Sequence, residues 1–241
     1  MAHGNRDYFT SIPLNTLYGM VDLAELAARL GSIVTYDRRG SVLWFDGFEE
    51  GIGQWYKGTW GTGAAVTLVN QPALSGSYSC LLAPGTDDAR AASIFRKFYR
   101  IPSGTVGLQF SFMPHQQLDY IRSDLEFFGG GYEYRFVLGF NNSKKSIYII
   151  NENRVDEDIA TGIDLWSLYG FWSTFKLVVD LDTMSYVRAS CNATVYDLRG
   201  KKCRTEASTE SDYTLVDIFA SNIEGPGGMS FVDDVILTTN E

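Results

Sequence analysis

The chain has 241 residues, of which 45% are hydrophobic and 20% charged, and this composition supports a folded core and excludes disorder for most of the length. A formal net charge of -9, with no Lys/Arg-rich stripe to offset it, repels phosphate backbones, so we expect no nucleic-acid partner. No stretch approaches the ~18 apolar residues of a membrane span, and the first residues lack the apolar segment of a secretion signal. We therefore expect neither membrane insertion nor a secretory leader.

Residues 1–40 differ in pattern from the rest and are predicted to form an N-terminal arm with one short helix and a hairpin turn. Asp22–Glu25 matches a capping box, and Gly31 is placed to end the helix. So short a helix is marginal alone in water and must dock, either on its own sandwich or on a neighbouring subunit. The apolar residues expected to attach the arm to a protein lattice or a homo-oligomer are Phe9, Leu14, Leu17, Leu23, Leu26 and Leu30.

From residue 41 to residue 241 the sequence alternates short apolar segments with turn signals and has almost no helical periodicity. This pattern predicts one all-β domain, built as a two-sheet antiparallel sandwich. The predicted strands are 41–45, 64–69, 77–82, 92–99, 106–113, 132–140, 146–150, 171–181, 186–196, 215–222 and 230–238.

The chain has three cysteines, Cys80, Cys191 and Cys203. An odd and small number of cysteines in a domain of this size is not typical of a disulfide-stapled secreted module. Reduced thiols are the favoured interpretation. A bridge between Cys191 and Cys203 is the alternative.

The two ends of the predicted sandwich carry acidic residues next to strands. Phe45–Trp55 opens the domain and Phe231–Leu237 closes it, and we expect the first and last strands to lie side by side. Such a pairing brings Asp46 and Glu49 near Asp233 and Asp234. Carboxylate oxygens are the ligands that Ca²⁺ prefers, so the sequence predicts a structural calcium site there. The alternative is that these residues only shape turns and strand edges.

A family resemblance rests on the stretch Phe171–Tyr186, in which a Trp-initiated strand of alternating apolar residues turns through an Asp-rich tip. Together with the Phe-Asp-Gly-Phe-Glu opening and the Asp-Asp-Val closing, it resembles concanavalin A-like (laminin-G-like) jelly rolls over roughly residues 41–238. The resemblance implies a jelly-roll fold. That fold carries lectins, glycanases, adhesion modules and capsid components, so it implies no single function.

Enzymatic activity is not expected. A glycanase of this fold would be expected to carry a Glu-x-Asp-x-x-Glu strand, and Asp124-Leu125-Glu126 supplies only two carboxylates on one face of a possible strand. With His3 and His115 as the only histidines, a histidine-based metal site or a catalytic triad is hard to assemble.

Sugar binding needs aromatic rings beside hydrogen-bonding groups. Large aromatic residues of sandwiches are usually buried, but some here fall in loop-like contexts. The candidate glycan-binding residues are Trp60, Trp166, Tyr169 and Tyr120.

Three classes of function fit these patterns: a structural component of an assembly, a glycan-binding module and a glycan hydrolase. The arm and its hairpin leading into a jelly roll resemble the layout of tailed-phage virion proteins that decorate the capsid. We therefore predict a non-enzymatic virion structural protein, a capsid decoration protein whose lectin-like sandwich faces outward from the capsid surface and contacts cell-surface glycans. The alternative is a free, extracellular carbohydrate-binding module, and a glycan hydrolase is the least favoured.

Overall fold

The computed structural model describes residues 39–86, 90–114, 118–165, 171–222 and 228–241. The predicted arm, including Phe9, Leu14, Leu17, Leu23, Leu26 and Leu30, lies almost entirely outside these ranges. Within them the chain forms strands joined by turns, and no helix there is long and apolar enough to cross a membrane. The sixteen strands are Ser41–Asp46 (β1), Tyr56–Trp60 (β2), Ala65–Val69 (β3), Ser79–Ala83 (β4), Ala91–Tyr99 (β5), Thr105–Pro114 (β6), Tyr120–Gly129 (β7), Tyr132–Asn141 (β8), Ser146–Ile150 (β9), Asp156–Thr161 (β10), Ser173–Asp180 (β11), Ser185–Cys191 (β12), Thr194–Asp197 (β13), Arg204–Ala207 (β14), Tyr213–Ser221 (β15) and Ser230–Thr239 (β16).

The strands form two eight-stranded antiparallel sheets. The first sheet has the order β13-β12-β11-β6-β16-β4-β3, with β1 also paired to β16. The second has the order β10-β9-β8-β7-β15-β5-β2, with β14 also paired to β8. This arrangement confirms the predicted all-β sandwich.

The core lies between the inner faces of the two sheets, where alternate residues of each strand meet. Phe110, Phe112 and Phe175 pack together on the first sheet, with ring centroids 4.8 to 6.0 Å apart. In β15 every second residue is buried, because Val216, Ile218 and Ala220 face the core. The residues between them, such as Asp217 and Phe219, therefore lie on the outer face of the second sheet.

Tyr186 joins the two sheets through its hydroxyl group. Its ring is buried in the core from β12, and its hydroxyl accepts a hydrogen bond from Val137 N–H (2.9 Å) and donates one to Ile150 C=O (2.8 Å). Both partners belong to strands of the second sheet. The hydroxyl thus satisfies two backbone groups that would otherwise be buried without partners.

The first and last strands of the sandwich pair as expected. β1 runs antiparallel to β16, with Asp46 opposite Val235. The first residues of β16 pair with β4 instead, so the partner of β16 changes at Asp233 and Asp234, where the register with β6 shifts and Asp234 has a φ of 48°. This pairing places Asp46 next in register to Asp234, because Asp46 lies opposite Val235.

Four strands, β2, β7, β10 and β14, are absent from the predicted set. Trp60 was expected in a loop and ends β2 instead. The predicted strand 186–196 is in fact two strands, because Asn192 takes a left-handed conformation (φ 50°) in the turn between β12 and β13. The missed strands are rich in polar residues on one face, which weakens their apolar signal.

The three cysteines are buried free thiols, which confirms the favoured interpretation and leaves the alternative Cys191–Cys203 bridge unformed. Burial raises the pKa of the Cys191 thiol to about 12 and that of Cys203 to about 11. Since the thiolate is the reactive form, these side chains serve packing.

Candidate functional site

The outer face of the second sheet carries a concentration of charged side chains at its centre. On β7 the core takes Ile121, Leu125 and Phe127, so the alternate residues point outward. Strand pairing places outward residues of β8 and β15 beside them. We call the resulting group the central polar cluster, and its members are Arg122, Asp124, Glu126, Arg135 and Asp217.

Ion pairs organise the central polar cluster. Arg122 Nε lies 3.0 Å from Asp124 Oδ1, and Arg135 Nη2 lies 2.6 Å from Glu126 Oε1. Arg135 Nε also lies 3.1 Å from Glu133 Oε1. The side chains of Asp124 and Glu126 are 2% and 6% exposed, whereas those of Arg122 and Arg135 are 27% and 25% exposed. The carboxylates therefore lie beneath the guanidinium groups and fix their positions.

Asp217 lies directly across from Asp124 on the neighbouring strand. Burial, with the nearby Asp124 and Glu126, raises the pKa of Asp217 to about 8. Its Oδ1 atom is buried without a hydrogen-bond partner among the described residues. Burial therefore favours the protonated form of the Asp217 carboxyl, which can donate a hydrogen bond.

Burial also raises the pKa of Glu126, to about 7, although Arg135 opposes this change. For Arg122, burial lowers the pKa, but Asp124, Tyr148 and Asp217 outweigh burial and raise it above its ordinary value. Arg122 is therefore a permanent cation at the centre of this face.

Aromatic rings continue the face on one side of the cluster. The Arg122 guanidinium lies over the ring of Phe219, 4.6 Å from its centroid, and Phe219 in turn lies 6.1 Å from Trp60. Gly58 makes room for the indole, because a Cβ at this position would lie 2.7 Å from Trp60 Cζ3. Trp60 is 44% exposed, so its ring is open to a ligand.

Two tyrosines border the cluster on the opposite side. Gly139 lies across from both Arg122 and Tyr148, and a Cβ there would come within 2.6 Å of the Tyr148 hydroxyl. Because Gly139 has no side chain, the Tyr148 ring can lie across β8 towards Arg122. Tyr120, at the start of β7, contacts Tyr148 edge to face, and its hydroxyl accepts a hydrogen bond from Asn141 Nδ2 at 2.9 Å.

Two of the four predicted glycan-binding residues share this face. The register places Trp60 opposite Ala91, Ala91 opposite Ser221, and Ser221 opposite Tyr120, so Trp60 and Tyr120 lie in one row across four strands. Three strand spacings separate these two aromatic residues by about 14 Å. Trp166 and Tyr169 lie outside the described residues.

Sequence reasoning missed Arg122, Arg135 and Asp217 as site residues. A signal for part of the cluster is present in Arg122-Ser123-Asp124-Leu125-Glu126, where charged residues recur with the two-residue period of a strand. Asp124 and Glu126 were recognised as lying on one face, but they were expected at a solvated edge. They are in fact buried in a central strand.

The acidic residues predicted to bind calcium meet, but they bind protein groups. Asp46 accepts hydrogen bonds from Phe48 N–H and from Trp55 Nε1–H, both at 2.8 Å. Glu49 accepts from the N–H groups of Ser77 and Tyr78 at 2.7 and 2.9 Å. These carboxylates thus hold the turn after β1 and the loop before β4.

Asp233 and Asp234 hold the same loop from the other side. Asp233 accepts hydrogen bonds from the N–H groups of Leu74 and Ser75 at 2.8 and 3.2 Å, and Asp234 accepts one from the Ser75 hydroxyl at 2.7 Å. Burial and the adjacent Asp234 raise the pKa of Asp233 to about 7.

Calcium needs six to eight oxygen ligands, and N–H and hydroxyl donors of the protein already engage oxygens of these carboxylates. Among the described residues no group of three or more His, Cys, Asp or Glu side chains could hold a metal ion. Asp46, Glu49, Asp233 and Asp234 serve instead as hydrogen-bond acceptors at the corner where β1, β4 and β16 meet.

The sequence matches no family model and no curated relative. The fold is similar to that of Cip1, a cellulose-induced protein, with 16% identity and a TM-score of 0.52 over 81% of this chain and 96% of that one. It is also similar to a carbohydrate esterase of the Shiga toxin-encoding bacteriophage phi24B, with 11% identity and a TM-score of 0.55 over 84% of this chain and 100% of that one. A third similar structure is the carbohydrate recognition domain of Emp46p in its potassium-bound form, with 11% identity and a TM-score of 0.50 over 83% of this chain and 94% of that one.

At these identities the likeness concerns the fold alone, a lectin-type jelly-roll sandwich. The similar structures include a carbohydrate recognition domain and an enzyme that acts on carbohydrate.

Proposed function

We propose that this protein binds carbohydrate on the outer face of the second sheet, without cleaving it. The observation that carries the proposal is the shared face of Trp60, Tyr120 and the central polar cluster. Sugars present apolar C–H faces that pack on aromatic rings and hydroxyl groups that need hydrogen-bond partners. The row from Trp60 through Phe219 to Arg122 offers both kinds of contact side by side.

Binding without cleavage is supported by the burial of the carboxylates. Glycosidases place two carboxyl groups against the scissile bond. Of the three carboxyl groups in the central polar cluster, Asp124 and Glu126 are buried in ion pairs with arginines, and Asp217 is intermediate in exposure with its Oδ1 atom buried. A cluster without two open carboxyl groups suits recognition better than two-carboxylate hydrolysis.

A virion-bound form of this function accords with the sequence-based prediction. The sandwich would then present its glycan-binding face from the capsid surface, while residues 1–40 attach it to a protein lattice. The phage esterase shows that a fold of this type occurs in a bacteriophage protein. Deleting residues 1–40 tests the attachment, which we expect to abolish incorporation into particles and to leave glycan binding intact.

A glycan array with the wild-type protein and Trp60→Ala tests the binding proposal. We expect hits with the wild type and about tenfold weaker signals with Trp60→Ala, since the apolar area that the indole buries against a sugar contributes roughly 25 cal/mol per Å². Phe171→Ala is the matched control, because Phe171 is 58% exposed and lies two residues before β11 of the first sheet. Hits that survive Trp60→Ala, or an array without hits, would contradict the proposal.

A further inference from the structure

The exposed polar groups of the central polar cluster are hydrogen-bond donors, whereas its acceptors are buried. Arg122 and Arg135 are each about one quarter exposed, and the Asp124 carboxyl group lies beneath them with a side-chain exposure of 2%. A ligand approaching from solvent therefore meets guanidinium N–H groups first. The ligand group that complements such a surface is an acceptor, and a negatively charged one gains most.

Arg122 is the donor best placed for a ligand. All three nitrogens of Arg135 face carboxylates, since Nη2, Nε and Nη1 lie near Glu126, Glu133 and Asp124, respectively. The ion pair of Arg122 with Asp124 uses Nε, which is buried. The exposed part of Arg122 therefore lies elsewhere on the side chain, and its two Nη groups carry more N–H donors than the hydrogen bond to the Tyr148 side chain uses.

Contacts on three sides keep the Arg122 guanidinium in place. Asp124 holds it from below, the Phe219 ring packs against its plane, and Tyr148 reaches it across Gly139. A guanidinium fixed in this way loses little side-chain entropy on binding, so its hydrogen bonds to a ligand contribute more to affinity.

Asp217 adds a second donor beside Arg122. The register pairs Asp217 with Asp124 and Phe219 with Arg122, which makes Asp217 and Arg122 diagonal neighbours on adjacent strands. Two adjacent carboxyl groups in a buried setting do not both ionise readily. Burial and the neighbouring carboxyl groups of Asp124 and Glu126 raise the pKa of Asp217 and so favour its protonated form.

We infer that the carbohydrate bound at this face carries a carboxylate, as a uronic acid does, and that the Arg122 guanidinium, with the Asp217 carboxyl group beside it, holds that carboxylate. Trp60 and Phe219 then contact the apolar face of a neighbouring sugar unit. This inference rests on the proposed function and adds the class of its ligand.

The test compares polyglucuronate and polygalacturonate with the same polymers after reduction of their carboxyl groups to alcohols. These pairs differ in the carboxylate and share the linkage. We expect the wild-type protein to bind the acidic polymers at least tenfold more tightly than the reduced ones, as measured by isothermal titration calorimetry at low salt. Tighter or equal binding of the reduced polymers would overturn the inference and leave the proposed function standing.

Two substitutions place the effect on Arg122. Arg122→Gln should lose the preference for the acidic polymer over the reduced one, and Arg122→Lys, which retains the positive charge beside Asp124, should lose part of that preference. Arg199→Gln is the matched control, because Arg199 is 78% exposed and follows β13 of the first sheet. A preference that stays at the wild-type level in a folded Arg122→Gln or Arg122→Lys protein would overturn the assignment to Arg122. A glycan array that yields neutral or sulfated hits alone would overturn the inference that the ligand carries a carboxylate. An array without any hit would overturn the proposed function itself.

Discussion

Asp217 on β15 lies directly opposite Asp124 on β7, so two carboxyl groups of neighbouring strands share the outer face of the second sheet. Like charges directly across a sheet repel each other, and this pair is tolerated because one member is ion-paired with Arg122 and the other keeps its proton. The pair thereby converts a carboxyl group into a hydrogen-bond donor next to an arginine.

The first prediction concerns the dependence of stability on pH. In the unfolded chain Asp217 and Glu126 release their protons near pH 4, whereas in the folded chain their pKa values are raised to about 8 and about 7, chiefly by burial. Between these limits the folded state binds more protons than the unfolded state, so this contribution is complete below about pH 4 and is lost as the pH rises to about 8.

Asp217→Asn removes one of these titrations while keeping the shape and a donor. We expect urea unfolding to give Asp217→Asn a higher free energy of unfolding than the wild type at pH 8, by about 1 kcal/mol or more, since one pKa unit corresponds to about 1.4 kcal/mol. At pH 4.5 the difference should shrink. An equal difference at both pH values would contradict the protonated state of Asp217.

The second prediction concerns Gly139, whose missing side chain admits the Tyr148 ring. Gly139→Ala should displace that ring, destabilise the protein by about 1–3 kcal/mol through overpacking, and weaken glycan binding because Arg122 loses a contact. Thermal unfolding and calorimetric titration measure the two effects. Gly53→Ala is the control, since a Cβ there meets nothing within 4 Å, and an equal loss in both variants would argue against the role of Gly139.

The third prediction separates hydrogen bonding from metal binding at Asp46 and Asp233. Asp46→Ala leaves Phe48 N–H and Trp55 Nε1–H without their acceptor, and we expect a loss of about 2–3 kcal/mol in the free energy of unfolding. Excess EDTA should leave the unfolding midpoint of the wild type unchanged. An unfolding midpoint that falls with EDTA and recovers with Ca²⁺, in the wild type but not in Asp233→Asn, would contradict this prediction and show that calcium binds at these carboxylates.

The fourth prediction concerns the link between the sheets at Tyr186. Tyr186→Phe keeps the ring and deletes the hydroxyl, which leaves Val137 N–H and Ile150 C=O without this partner. We expect a loss of about 1–3 kcal/mol, the cost of buried backbone groups left unsatisfied. Tyr99→Phe should change little, because Tyr99 is 98% exposed, and a matching effect in the two variants would show that the buried hydroxyl contributes nothing special.

The sequence predicted the sandwich well because its core strands repeat apolar residues with the period of a sheet. The Phe231–Leu237 segment, for example, was expected to pair with the opening strand and does so through β16 and β1. The polar strand β7 was harder to recognise, because Arg122, Asp124 and Glu126 occupy its outer face and lower its apparent hydrophobicity.

The candidate site was only partly predictable for a related reason. Trp60 and Tyr120 were identified by residue type, but their common face depends on the pairing of β2, β5, β15 and β7. The proximity of Asp217 to Asp124 likewise depends on a register between strands far apart in the chain, which no local pattern encodes. The acidic residues at the strand ends were expected beside paired first and last strands, and these strands do pair. The N–H groups of Leu74 and Ser75 that donate hydrogen bonds to Asp233 come from a loop with no apolar signal.

A two-dimensional NMR titration of the full chain with the best glycan from the array tests most directly whether glycan binds on the outer face of the second sheet. We predict that the largest shift changes fall on the Trp60 indole N–H, the Arg122 side chain and the amides of β7 and β15. Changes confined to the loop 70–78 or to strands of the first sheet would show that the glycan binds elsewhere and would contradict the central claim.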